Sequence, residues 1–271
     1  MKKKLLYITY GIVITIVFLY LLFPSEAVKH YIVTEVASRN PNVVVVIDDI
    51  RLGIPAVLEF DDVELRFKDK PGAVLEAKTV TAWPQLASLL RGKPVVRIST
   101  AAYGGNIDAT VFSPDRFAIG TSVTVDAEVN QINIGECSYL KKVLGRNFAG
   151  ILKGTLTFEG RYDDAITGAG TANFIAQNGN VELLKSIVGI STLTFDEITA
   201  AMTLKNRTLK IDGVDFTGNE ARGSLNGSVL LQRDIIRSRL SLRGTVEIPA
   251  VNKTFSAFVS GTLGNPIPRL R

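Results

Sequence analysis

The hydrophobic positions change period twice along this chain. From Leu5 to Phe23 every residue is apolar or weakly polar and none is charged. As a helix rising about 1.5 Å per residue, that run just spans a hydrocarbon core of about 30 Å. Pro24 ends it, and Ser25 is placed to cap a second helix with Glu26 in its first turn. Ala27, Val28, Tyr31, Ile32 and Val36 then recur on one helical stripe, while Lys29, Glu35 and Arg39 fall off it. Such an amphipathic helix either lies on a bilayer or plugs the end of a sheet, and its direct continuation into a strand-like segment favours the plug.

From Val43 onward the period is two. Val43 to Ile47 is a β-branched run, and Leu58 to Phe67, Val95 to Ile98, Val123 to Val129, Gly154 to Glu159, Ala200 to Leu204 and Leu209 to Asp212 alternate apolar with polar. Ser228 to Leu231, Arg239 to Arg243 and Thr254 to Val259 continue the pattern. The joining segments are short and rich in Asn, Gly and Asp, which favours an antiparallel meander over βαβ units. Two helical interruptions are expected: Pro84 to Arg91, with proline in the first turn and Gly92 as the stop, and Tyr139 to Leu144, stopping at Gly145.

A loose phrase recurs without a fixed period: Lys153-Gly154-Thr155-Leu156, Arg222-Gly223-Ser224-Leu225, Arg243-Gly244-Thr245-Val246 and Ser260-Gly261-Thr262-Leu263. Ordinary glycine at strand starts or bulges explains it, and the irregular gaps exclude a strict solenoid. A sheet with so few helices to cover it must curl or find a second layer, and curling leaves an apolar groove. The expected fold is mainly β. Residues 1–24 form a cytoplasmic tip and transmembrane helix; residues 25–271 form one domain, an amphipathic helix followed by a long curved, mostly antiparallel, groove-forming sheet with two short helices.

Charge orients this picture. Lys2, Lys3 and Lys4 precede the apolar run, so the positive-inside rule keeps the N-terminus in the cytoplasm and sends the body across. Tyr7, Tyr10, Tyr20 and Phe23 stand near the ends of the run, where aromatic rings prefer the headgroup zone. A cleaved signal peptide is the competing reading, since Ser25-Glu26-Ala27 offers small residues at the two positions a signal peptidase reads; the run exceeds the usual signal core of about 7–15 residues, which favours retention. The formal charge of +5 is mild, and the basic residues of the body are interleaved with acids, so no nucleic-acid footprint is expected.

Candidate chemistry is sparse. Cys137 is the single cysteine and His30 the single histidine, too few for an internal disulfide or a Cys/His metal site. A Ser/His/Asp arrangement needs a histidine beside a nucleophile, and no Gly-x-Ser-x-Gly elbow occurs. Gly168 to Asn173 lacks the third glycine of a dinucleotide fingerprint and lies between strand-like segments. The adjacent carboxylates Asp48-Asp49, Asp61-Asp62 and Asp163-Asp164 would serve hydrolysis or a hard cation if they converged, but neighbours on a strand point to opposite faces. Cys137 precedes the short helix without a basic partner nearby and reads as a buried structural thiol. No catalytic, cofactor-binding or metal-ligating residue is assigned, and the expectation is a protein that is not an enzyme and carries no cofactor.

Several short phrases carry a resemblance. They are Leu5-Leu6-Tyr7 through Leu21-Leu22-Phe23-Pro24, Ile50-Arg51-Leu52-Gly53-Ile54-Pro55 leading into Leu58 to Leu65, Ser88 to Pro94, Ala102-Tyr103-Gly104-Gly105-Asn106-Ile107 and Ser260 to Pro266. In this organisation the chain resembles the type II secretion system protein N family and, more distantly, the AsmA-like proteins of the bacterial envelope. The resemblance implies a single-pass inner-membrane protein with a periplasmic body, belonging to the machinery that moves folded proteins out of the periplasm. The AsmA-like side implies a grooved β-structure that accommodates phospholipid. Two expectations stand side by side: a non-enzymatic secretion component touching other envelope proteins through its sheet edges, and a lipid-handling module. The partners expected are the bilayer through residues 5–23, secretion components and a phospholipid in the groove.

Overall fold

The computed structural model describes residues 20–54, 56–113, 122–187 and 190–271, together with residues 7, 10, 11, 14 and 18. The expected membrane span falls largely outside the described residues. Those described within it, from Tyr7 to Leu21, are helical, and among the described residues no helix is long and apolar enough to cross a membrane.

Alternating residues build strands because successive side chains leave opposite faces of a pleated backbone. The structure carries this through fifteen strands in one sheet: β1 Val43–Val46, β2 Asp49–Gly53, β3 Val57–Phe67, β4 Val74–Pro84, β5 Val95–Ala102, β6 Gly105–Phe112, β7 Val123–Asn133, β8 Phe148–Gly160, β9 Ala169–Ile187, β10 Ile190–Lys205, β11 Thr208–Thr217, β12 Arg222–Leu230, β13 Arg239–Ile248, β14 Lys253–Gly261 and β15 Pro266–Leu270. From β3 to β15 each strand pairs antiparallel with the next, while β1 and β2 lie end to end along β3. The meander covers roughly 60 Å of sheet at about 4.8 Å per strand.

Among the residues described from Ser25 onward, three α-helices accompany it: α1 Ser25–Arg39, α2 Leu86–Leu90 and α3 Ser138–Leu144. Helix α1 packs Val28, Ile32 and Val36 onto a buried cluster of Val45, Ile47 and Ile50, joined by Phe23, Phe60 and Leu65. It therefore plugs the first end of the sheet. Ala27 and Tyr31 of the expected stripe face outward, Tyr31 being 68% exposed, because the i, i+4 line through residues 28, 32 and 36 alone reaches the strands. Helix α3 docks at the β3–β4 end, where the rings of Tyr139 and Phe67 lie 4.7 Å apart and Ser138 Oγ donates to the Val74 carbonyl at 2.8 Å. It ends on Gly145 in the left-handed conformation (φ 63°), as its sequence anticipates.

Two expected helix starts move. Pro24, not Ser25, occupies the capping position of α1, and no side chain caps it. Pro84 closes β4 instead of opening a helix, and α2 begins at Leu86. The position suits proline: it pairs with Val96 at a level that β3 no longer reaches, so its missing N–H leaves no partner unsatisfied. The Gly168–Asn173 segment runs into β9 as paired strand, not as a connection between strands.

Candidate functional site, an apolar trough across the sheet

Residues directly opposite one another in an antiparallel pair project to the same face. Following partners from strand to strand gives one continuous line: Leu52, Leu58, Ala82, Ile98, Ala109, Ala127, Leu156, Ala172, Met202, Ile211, Gly227, Leu242, Val259 and Pro268. None carries a charged or hydrogen-bonding side chain. A flanking row, from Phe60 and Val80 through Ile107, Val129, Gly154, Phe174, Ala200, Val214, Leu225, Gly244 and Ala257 to Leu270, is broken only by Thr100. One residue off the first line the chemistry inverts: Arg97, Thr110, Asp126, Thr157, Thr171, Thr203, Lys210, Ser228 and Ser241 form the row on the other face.

The apolar face has no continuous second layer among the described residues. Of the fourteen residues on the central line only Ala172 and Ile211 are buried; Leu156 and Pro268 are exposed and the others half-buried. A cluster of buried side chains packed together, Val45, Ile47 and Ile50, lies under α1. The face is thus an uncovered apolar strip, or trough, with α1 packed beside its first strands and the alanines at 82, 109, 127 and 172 along its floor.

Its far end curls. Leu183 of β9 and Leu193 of β10 line the same apolar cavity, of about 130 Å³, as Val246 and Ile248 of β13, Ala257 of β14 and Leu270 of β15. In a flat sheet β10 and β15 would lie about 24 Å apart at the usual strand spacing, so the sheet bends toward its apolar side here. Thr194 on the bent hairpin bonds the Glu220 carboxylate through both its hydroxyl and its N–H. Those hydrogen bonds hold the Glu220 carboxyl below the usual glutamate range.

Glycine fits the trough for a steric reason. Phe158 stands opposite Gly170, Phe174 opposite Gly154, Phe195 opposite Gly179 and Phe216 opposite Gly223. A Cβ at Gly154 would overlap the Asn173 carbonyl and the Phe174 ring. The recurring glycine phrase therefore marks, at Gly154 and Gly223, places where a ring lies over a neighbouring strand, rather than a turn. At Gly261, the last residue of β14 with φ +96°, it marks a backbone bend.

A larger depression, about 810 Å³, lies on the polar face between Trp83, Arg97, Asp108, Asp126 and Glu128. Asn106 and Asn130 donate to its Asp108 and Glu128 carboxylates at 2.6 and 3.1 Å, so it is a hydrated face with local partners. The trough, with its uninterrupted chemistry, is the stronger candidate.

The other residues singled out in the sequence fall as follows. His30 is exposed on α1 and Cys137 is a free thiol, 6% exposed, just before α3. Beside it Tyr103 accepts the Glu76 N–H at 2.8 Å, and burial pushes its phenol up to about 12. Asp49 and Asp61, from two of the adjacent acid pairs, do converge: the β2–β3 register sets them opposite each other, and Arg51 reaches both carboxylates. Asp164 lies 3.8 Å from Arg207. Among the described residues no group of three or more His, Cys, Asp or Glu gathers to hold a metal ion. Strands β2, β4, β6, β9 and β15 were not expected, although Thr79 to Ala82, Ile107 to Val111 and Thr171 to Phe174 alternate legibly. Comparison with protein-family models, curated proteins and solved structures gives no match to this chain.

Proposed function

We propose that this chain is a non-enzymatic protein of the bacterial envelope, anchored in the inner membrane through residues 5–23, whose periplasmic trough accommodates lipid acyl chains. The observation that carries this reading is the unbroken apolar line from Leu52 to Pro268 with most of its members left half-exposed. Each methylene withdrawn from water contributes about 0.8 kcal/mol, so an extended hydrocarbon chain laid along such a line is stabilised without any directional contact. The uncharged run from Leu5 to Phe23 supports the anchor, and the preceding lysines support its orientation.

Membership in the type II secretion machinery draws its support from the sequence resemblance. Edge-to-edge docking is less well served. Ser256 and Arg271 exchange both backbone hydrogen bonds, which makes Pro266 and Pro268 the outward-pointing positions of β15. Neither has an N–H to offer a further strand.

Photo-crosslinking in cells tests the reading. A benzophenone side chain at Leu156, in the trough, should yield a phospholipid adduct, and the same group at Thr157, on the opposite face, should not. Equal labelling at the two positions, or none at either, removes the acyl-chain reading.

A further inference from the structure

Among the exposed large apolar side chains used neither by the trough nor by the plug, Ile54 is the most exposed of those described. Ile54 stands 80% exposed at the turn between β2 and β3. That turn is held from the anchor side. Tyr20 donates its phenol to the Gly53 carbonyl at 2.6 Å and accepts the Ala56 N–H at 3.3 Å, bracketing Ile54. Three residues later Phe23 packs into the Val45, Ile47 and Ile50 cluster, and Lys29 Nζ donates to the Asp48 carbonyl at 2.9 Å. The passage from apolar run to β-body is therefore tied on both sides of Pro24, and is no free tether. Leu21 and Leu22, beside Tyr20, are also exposed.

An N-in helix over residues 5–23 places Tyr20 at the outer headgroup level, the depth its amphipathic ring prefers. A turn hydrogen-bonded to that phenol lies at the same level. We propose that Ile54, where the chain turns after β2, is a second membrane contact, inserted at the boundary between headgroups and acyl chains of the periplasmic leaflet. The inference rests on the anchored reading above. The sheet then stands on the bilayer by its first strands, and Leu52, first residue of the apolar line, meets the lipid surface. Arg51 is already engaged by Asp49 and Asp61, so the contact is apolar and does not depend on anionic lipid.

The test uses the full chain in phosphatidylcholine vesicles, in a Cys137→Ser background, with an NBD fluorophore on Ile54→Cys or, as a water-exposed control, on Asp215→Cys. At position 54, shallow nitroxide-labelled lipid should quench at least threefold more than iodide supplied on both sides of the membrane; at position 215 the order should reverse. Adding Tyr20→Phe should at least double iodide quenching at position 54, because the phenol no longer holds the turn down. If position 54 is quenched like position 215 while the protein resists alkaline carbonate extraction, the anchor stands and the second contact is wrong. If carbonate releases the protein, the anchored reading itself fails, and this inference with it.

Discussion

Placing a carboxylate at Leu156 and, separately, at Val229 distinguishes an open trough from a closed core. Both residues lie on the apolar face, but Leu156 is 37% exposed between two small partners, Ala127 and Ala172, whereas Val229 is 3% exposed between Leu209 and Leu240. Full burial of a leucine contributes about 1.5–3 kcal/mol; with a third of Leu156 already in water, Leu156→Glu forfeits about 1–2 kcal/mol while its carboxylate stays hydrated. Val229→Glu loses a comparable burial, adds roughly 1–3 kcal/mol for an unpaired buried polar group and a similar amount for overpacking, and should cost about 4 kcal/mol or more. For a chain of this size each kcal/mol moves Tm by about 2–4 °C, so the first variant should melt only a few degrees low and the second 10 °C or more. Trp83, the single tryptophan, reports the transition by fluorescence on the full chain held in amphipol. Equal losses at both positions would show the face to be dry throughout, and the trough would have to be abandoned.

Three further outcomes are expected. Gly154→Ala should cost about 1–3 kcal/mol by driving a Cβ into the Asn173 carbonyl, while Gly213→Ala, whose nearest neighbour stands 4.0 Å away, should be close to neutral; paired thermal melts check this. Because burial raises the Tyr103 phenol to about 12, the unfolded chain ionises there first. Stability from this group is complete below about pH 10, the unfolded value, and falls as pH rises toward 12; the slope should shrink in Tyr103→Phe, the remainder coming from Tyr139, whose phenol burial also raises, and ultraviolet titration should show these two tyrosines ionising late. Pro268→Ala returns an outward N–H to β15, so sedimentation velocity should show more self-association than the parent chain, and an unchanged monomer fraction would mean that proline does not guard this edge.

The plug and the strands were legible because their signals are local. Val28, Ile32 and Val36 declare a helix face, and runs such as Val123 to Val129 declare both a strand and its wet side. The Ser25 and Pro84 boundaries were misread because a capping residue and a strand-end proline look alike without knowledge of what pairs beside them. The convergence of Asp49 with Asp61 was hidden for the same reason: it is a property of the β2–β3 register, not of either acid pair.

Period two alone established that this is a sheet protein with one apolar face, since side-chain alternation is a property of each strand by itself. It could not establish that Leu52 and Pro268 belong to one line, because any even shift between strands preserves alternation. Hairpin turns and irregularities, such as Gln131 with φ +56° where the β7–β8 register slips, decide the phase. The closing curl that brings Leu193 and Leu270 to one cavity arises only when the whole meander bends, because four strands separate β10 from β15 and no local pattern connects them.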